Sequence, residues 1–338
     1  MNSTKPTYVF IPITFTTKFV LFGVFLSYFI FGTIGNALLY AVIRKLRMRE
    51  RRRPRRALYR SLTMTFLSSM AICNLLNSLL SAGVVNCLQM MVHLYTSDWS
   101  CRVLRYITYY FGTVLIYNVL VLSVERYFSI FYPLKLYSAS LARKLLVGIW
   151  LGGLIFSLLL TVPVKLVREA LGPHHFTITC RSYPETPLEQ VAVFSSFICI
   201  YVIPAVVLIY ISVAMTRFFV RQRKVHAGQP PQQATDRQAN AWRLKDIKMF
   251  FAIIVIFVIP YTLLTMYLIT MAIGGFSFSV PVSFIIRRVT GVLALYNCIN
   301  VPVVCIMNNR DFRRTLKELE KEFGEVIDKI SSPWHGIS

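Results

Sequence analysis

Glu125-Arg126-Tyr127 closes a long apolar stretch and continues into Phe128-Ser129-Ile130-Phe131-Tyr132-Pro133-Leu134-Lys135-Leu136-Tyr137. A carboxylate and a guanidinium at a membrane edge are costly unless they pair or line a functional interior, so charge in such a place points to function. The competing reading is an arginine at a helix end whose stem lies along hydrocarbon while its head reaches water. The Pro133-Leu134 continuation, followed by Tyr137, favours the functional one.

The elements that must position this pair are membrane helices. Of the 338 residues 56% are hydrophobic and 15% charged, and the mean hydropathy is +0.58, a balance that would aggregate as a water-soluble globule. A helix needs about 20 mostly apolar residues to cross hydrocarbon. Such stretches lie near 19–43, 62–86, 103–125, 145–165, 191–216, 249–273 and 281–307. The expected fold class is therefore an all-α membrane protein, a seven-transmembrane helix bundle, with its termini on opposite sides. Basic residues crowd 44–60 and 217–248, which the positive-inside rule assigns to the cytoplasm, leaving the N-terminus outside. Asn2-Ser3-Thr4 agrees, as an N-glycosylation acceptor. The first apolar stretch is too long for a signal peptide and lacks a small-residue cleavage site, so it reads as a signal anchor kept as the first helix.

The net charge of +23 would suit nucleic acid. The arginines of 44–60 sit between two spans, however, where they set topology and meet anionic lipids of the inner leaflet at roughly 1 kcal/mol each. No nucleic acid partner is expected. Among the seven cysteines, Cys101 and Cys180 fall near helix ends on the oxidising side and are expected to form a disulfide. Cys73, Cys199, Cys298 and Cys305 lie within apolar spans, where a thiol acts as a small hydrophobe, and Cys87 at an outer helix end fits either description. No spacing suits a metal, and no cofactor is implied.

The expected organisation is an extracellular N-terminus over 1–18, a seven-transmembrane domain over 19–307, and a cytoplasmic tail over 308–338. In that tail Leu316, Leu319 and Phe323 recur at helical spacing on a charged segment, the pattern of a short amphipathic helix at the interface. His174 to Cys180 alternates β-branched and aromatic residues and reads as part of a short hairpin pinned to the third helix. Gln229-Pro230-Pro231-Gln232-Gln233 cannot bury a core.

One landmark per helix then carries a likeness to a known family: Gly35-Asn36, Cys101 with Glu125-Arg126-Tyr127, Trp150, Pro204, Pro260-Tyr261, and Pro302 followed by Asn309-Arg310-Asp311-Phe312-Arg313. Over about residues 19–325 the chain resembles the rhodopsin-like, or class A, G-protein-coupled receptors, in which the disulfide cysteine and the arginine also stand 25 positions apart. Trp150 can also be read as a packing aromatic, and the prolines as kinks whose freed carbonyls neighbouring helices satisfy. The resemblance implies a multi-pass receptor of the plasma membrane and no enzyme. It implies that Arg126 pairs with Glu125 at rest and is released to a heterotrimeric G protein when the sixth helix swings about its proline.

The departures from that family are as specific. Asn74 stands where an acid is usual, Val301-Pro302-Val303-Val304-Cys305 replaces Asn-Pro-x-x-Tyr, and Phe257-Val258-Ile259-Pro260 replaces Cys-Trp-x-Pro. With Leu115 and Val301 also apolar, no sodium site is expected, and Asn297 and Asn300 are the candidates to complete a polar network with Asn74. Ser212 stands eight residues beyond Pro204 where a tyrosine is usual.

Thr108 occupies the place of an aminergic receptor's acid and Leu295 that of an opsin's lysine, which disfavours amines and retinal as ligands. The outer third of the bundle offers Arg102, Arg105, Lys165, Arg287 and Arg288, of which Arg105 and Arg287 match pocket-facing positions. A guanidinium fork suits carboxylate or phosphate; alternatively these cations pair with Asp98, Glu169 or Glu189, or reach outward. Tyr109, Tyr110, Phe111, Tyr261 and Tyr267 are candidate pocket walls, or packing. The function expected is a cell-surface receptor passing an extracellular ligand, whether peptide or anionic small molecule or lipid, to a G protein. The alternative is a divergent chemosensory receptor, or one that binds without signalling. A transporter or channel ranks below both, because neither inverted repeats nor midplane charges appear.

Overall fold

In hydrocarbon each backbone N–H and C=O must find its partner within the segment, so the long apolar runs have no alternative to helix. The computed structural model of the chain describes residues 6–51, 57–132, 138–227, 252, 254–263, 266 and 278–331. Asn2, Pro133, Leu134, Tyr267 and the Gln229–Gln233 run lie outside the described residues.

The first span is Phe15–Arg51. The second begins as Ala57–Leu76 and continues in wide, π-type turns over Asn77–Cys87. The third is Asp98–Phe131 and the fourth Ala139–Thr161. The fifth comprises Pro187–Phe197, wide turns over Ile198–Val202, and Ile203–Ala227. Of the sixth, Ile254–Leu263 is an apolar helix. The seventh is Val280–Leu295 followed, after a break at Tyr296, by Asn297–Asn308. Six of the described helices are long and apolar enough to cross a membrane, and with the shorter sixth they form a seven-helix bundle. The C-terminal helix, Arg310–Ser331, runs 22 residues, longer than the short element expected.

The fourth span stops at Thr161, short of the expected 165. Pro163 explains this, since proline has no N–H to continue the ladder. Lys165 therefore sits on a strand instead of a helix end, where its ammonium meets Glu185 at 2.7 Å. That strand, β2 (Val164–Ala170), pairs antiparallel with β3 (His175–Ser182) in the register Leu166↔Cys180. The turn between them uses Gly172 at φ +144°, a conformation open to glycine and to few other residues. A short N-terminal strand, β1 (Thr7–Tyr8), adds parallel to the far edge of β3, so the sheet order is β1-β3-β2.

Packing is inverted relative to a water-soluble bundle. Val147, Leu151, Ile155 and Leu158, spaced along one face of the fourth span, are each more than half exposed, an apolar stripe suited to lipid. Inside lie Asn36, Asn74, Asn118 and Asn297, all essentially inaccessible. Small residues let the backbones approach, as expected where lipid competes with apolar side chains. A Cβ added at Gly153 would stand 2.5 Å from Val114 Cγ2, which clamps the fourth span onto the third. Trp150, next to this contact, gives its indole N–H to Ser69 Oγ at 3.1 Å and so ties the fourth span to the second. Pro302, inside the seventh span, cannot bond to the Cys298 carbonyl one turn back. The Asn36 amide of the first span donates to that carbonyl at 2.7 Å instead.

Candidate functional site

The described charged residues concentrate at two ends of the bundle. At the end away from the sheet, Arg126 Nε stands 3.2 Å from Glu125 Oε2, with the two side chains 8% and 5% exposed. Burial at that level makes the pairing matter, because an uncompensated charge here would carry its full desolvation cost. Thr63, on the second span, joins the pair. Its hydroxyl donates to Glu125 Oε1 at 3.2 Å and accepts from Arg126 Nη2. Tyr127 lies between Phe131 and Tyr210, ring centroids 4.6 and 6.1 Å away, and links this cluster to the fifth span.

Next to the cluster, the C-terminal helix docks on the first span. Phe312 is fully buried, Leu316 and Leu319 pack on the main core, and Phe323 faces outward. Lys45 meets Glu322 at 2.5 Å, and Arg49 bonds Glu318. The Arg49 guanidinium holds the Glu318 carboxyl below the ordinary carboxylate range.

At the sheet-bearing end, Ser97 caps the third span by accepting from Ser100 N–H. Cys101, in the first turn of that helix, forms a disulfide with Cys180 of β3, with Cα atoms 5.8 Å apart. The sheet is thereby held over a cavity lined by Arg105, Thr108, Tyr261, Arg287 and Arg288, with Asn86, His93, Tyr95 and β3 residues Thr177 to Cys180. Arg105 donates to the Cys180 carbonyl at 3.3 Å, Arg287 to the Ser283 carbonyl at 3.2 Å, and Arg288 to Asn86 Oδ1 at 3.0 Å. Beneath, Phe257 stacks on Tyr261 at 4.3 Å, an aromatic pair one helical step from Val258.

Three of the expected wall residues are elsewhere. Tyr109, Tyr110 and Phe111 do not line this cavity and pack into the main core; Tyr109 and Tyr110, one and two positions beyond Thr108, are turned off its face of a helix that rotates about 100° per residue. The expected network through Asn297 and Asn300 is replaced by one through Cys298. The Cys298 thiol lies 3.7 Å from Asn74 Oδ1 and 3.4 Å from Asn77 Nδ2, while the Asn300 amide turns back to the Tyr296 carbonyl. Pro204 and Pro260 are both buried.

Four participants carry no signal in the sequence. Thr63 belongs to no motif, His93 follows the second span in a loop, and Phe10 and Ile11, just beyond β1, line the cavity from the N-terminus. His93 Nδ1 and the Tyr8 hydroxyl are 2.9 Å apart, with the His93 ring edge-on to both Tyr8 and Phe10.

A bundle of this architecture, with a disulfide over a cavity at one end and a Glu-Arg pair at the other, is matched over residues 55–304 by the family model for the 7 transmembrane receptor (rhodopsin family). The chain belongs to that family, one of multi-pass membrane receptors and not of enzymes. Among curated proteins it is similar to the probable G-protein coupled receptor 19 of Homo sapiens, 25% identical over 77% of this chain and 57% of that protein. It is also similar to the RYamide receptor of Drosophila melanogaster, 24% identical over 87% of the chain and 61% of the relative. The neurotensin receptor type 1 of Homo sapiens is 29% identical over 57% and 46% respectively. The chain thus spans little more than half the length of the curated relatives it matches.

Proposed function

We propose that the chain is a cell-surface receptor that takes an extracellular peptide at the sheet-bearing end and signals to a heterotrimeric G protein at the Arg126 end. The observation that carries this reading is the Glu125–Arg126–Thr63 cluster, a buried ion pair that only movement of the surrounding helices can open. The printed names of the relatives, receptors for RYamide, QRFP-like and neurotensin peptides, favour a peptide ligand over a small molecule or lipid. Arg44, Lys45, Arg49, Arg217, Arg310 and Arg313 all flank the Arg126 end, which supports placing that end in the cytoplasm. On that side they and the C-terminal helix would meet anionic lipid headgroups. The sheet, the disulfide and the N-terminus then face outward.

The test is nucleotide exchange on purified G proteins by cells displaying the receptor, challenged with a synthetic peptide panel. A responding peptide is expected, and Arg126→Ala should abolish exchange at unchanged surface display. A response that survives this substitution would remove the cluster from the mechanism.

A second reading, binding without efficient transduction, is favoured by Val258 and by Val301-Pro302-Val303-Val304-Cys305 in place of the usual motifs. It predicts peptide binding with no exchange on any G protein.

A further inference from the structure

We propose that residues 7–11 form a displaceable strap over the cavity, clasped at Tyr8, that must lift before a peptide can enter. Access to the cavity is then regulated by the chain itself, whichever ligand it takes and whether or not it signals.

Two walls of the cavity are anchored separately. β3 contributes Thr177 to Cys180 and is bridged to the third span through Cys180. The loop after the second span contributes His93 and Tyr95, and there the Tyr95 hydroxyl donates to Gln89 Oε1 at 3.1 Å with both residues buried. Residues 7–11 join the two walls. Thr7 N–H donates to the His174 carbonyl at 2.7 Å and Val9 N–H to the Phe176 carbonyl at 2.8 Å, which fastens the segment to the hairpin. Tyr8, between those bonds, reaches both walls: its ring lies 5.5 Å from that of His93 and 5.6 Å from that of Phe176, with its hydroxyl against His93 Nδ1. Phe10 sets its ring edge-on to His93 and, with Ile11, lines the cavity.

The base of the strap is firm and its tip is not. Ile11 and Ile13 pack against the cluster of Leu21, Phe25 and Tyr28, the Ile13 N–H bonds to the Ile11 carbonyl at 2.9 Å, and the Lys18 ammonium lies 5.5 Å from the centre of the Phe10 ring. Toward Thr7, by contrast, the strand is two residues long, both exposed, at the edge of the sheet. A strand that short adds little stability, and segments held by few buried contacts are the ones that open locally. Thr7, Tyr8 and Val9 carry the three polar ties to the walls, so lifting the tip about the Ile11–Ile13 turn breaks them together. Closed, the cavity holds about 110 Å³, several water volumes at about 10–15 Å³ each, room for a side chain but not for a peptide backbone.

Thiol labelling of the purified full-length chain in detergent tests this. Thr108 lines the cavity and its hydroxyl bonds back to the Leu104 carbonyl of its own helix, so Thr108→Cys places a thiol inside with little disturbance. Its reaction rate is followed with fluorescein maleimide, too bulky for the closed cavity, and with iodoacetamide, small enough to pass; the unsubstituted chain gives the background of the native thiols. Tyr8→Ala and, separately, Thr7→Pro, which removes the N–H bonded to His174, should each speed the bulky reaction about fivefold or more, the release expected from losing one hydrogen bond. The small reagent's rate should stay nearly unchanged. A bulky rate that ignores both substitutions overturns the strap, and so does an equal gain for both reagents, which would mean that the bundle itself has loosened. Hydrogen exchange in the unsubstituted chain needs no variant. The Thr7 and Val9 amides should exchange together, well ahead of the ladder amides of β2 and β3, and protection equal to theirs overturns the strap as well. Neither readout involves a G protein or a ligand, so a strap that opens stands even in a chain that drives no nucleotide exchange. Peptide-driven exchange in a chain whose bulky labelling ignores Tyr8→Ala and Thr7→Pro keeps the signalling role and removes the strap.

Discussion

The Tyr117 hydroxyl of the third span donates to the Cys199 carbonyl of the fifth at 2.9 Å. In the wide-turn register of Ile198–Val202, where Ile203 N–H reaches back five residues to Ile198, the next donor would be residue 204. That residue is proline and has no N–H. The tyrosine thus supplies from a neighbouring helix the bond that the fifth span cannot make for itself. Asn36 does the same for the Cys298 carbonyl below Pro302. Two of the family's prolines are in this way each matched to a specific donor on another helix.

Removing only the hydroxyl should reveal this coupling. Tyr117→Phe keeps the ring that stacks near Phe156 and leaves one carbonyl unsatisfied, a loss of about 1 kcal/mol by the usual hydrogen-bond scale in membranes. A lower unfolding midpoint in detergent is expected, and an unchanged one would show that the Cys199 carbonyl has found another partner.

The disulfide closes a separation of 79 residues, for which constraint of the unfolded chain predicts about 4–5 kcal/mol. Cys101→Ser should reduce surface display and, in the fraction that folds, lower the midpoint markedly. Because Arg105 bonds to the carbonyl of Cys180, the same variant should also weaken ligand binding. Binding at full strength would mean that β3 holds its place without the bridge.

Thr63→Val is nearly isosteric and removes one hydroxyl that serves both Glu125 and Arg126. Losing about 1 kcal/mol from the closed arrangement shifts its equilibrium by roughly fivefold. Basal nucleotide exchange should rise by that order. Exchange at the unsubstituted level, in a receptor where Arg126→Ala is silent, would count against Thr63 as a restraint.

The contact between Arg49 and Glu318 sets a pH and salt dependence. The Glu318 carboxyl is held low in the docked helix, so its contribution is fully present above its free value and fades as pH falls through the depressed one. The pair is solvent-exposed and screened by salt. Amide protection of residues 312–322, read by hydrogen exchange, should hold at neutral pH and decline only below the ordinary carboxylate range or at high salt. Arg49→Ala should bring that decline to higher pH, and an identical profile would assign docking to the apolar contacts of Phe312, Leu316 and Leu319 and to the Lys45–Glu322 pair.

Long-range architecture is legible in this chain because membrane helices announce themselves by length and hydropathy, and because Cys101 falls at a helix end; Cys180, expected near a helix end as well, lies instead within strand β3. The Glu125-Arg126 pair is legible because the two residues are adjacent. Thr63 is not, since it reaches the pair from 62 positions away on the strength of helix packing alone. The strand at Thr7–Tyr8 is two residues long, too short for any alternation to show. Lys165 is misplaced by hydropathy because the apolar run continues past Thr161, and Pro163 decides the boundary locally. Tyr109 and Phe111 show the limit of composition: aromatic content marks a helix as interior but not which turn of it faces a cavity.

The parallel pairing of β1 with β3 has a practical side. With Thr7 opposite His175 and Phe10 and Ile11 lining the cavity, the segment that precedes the first span is built into the cavity wall. A fluorescent reporter or affinity handle inserted in that segment would pull on the sheet it is meant to observe, whereas one placed beyond the C-terminal helix would leave the sheet as it was.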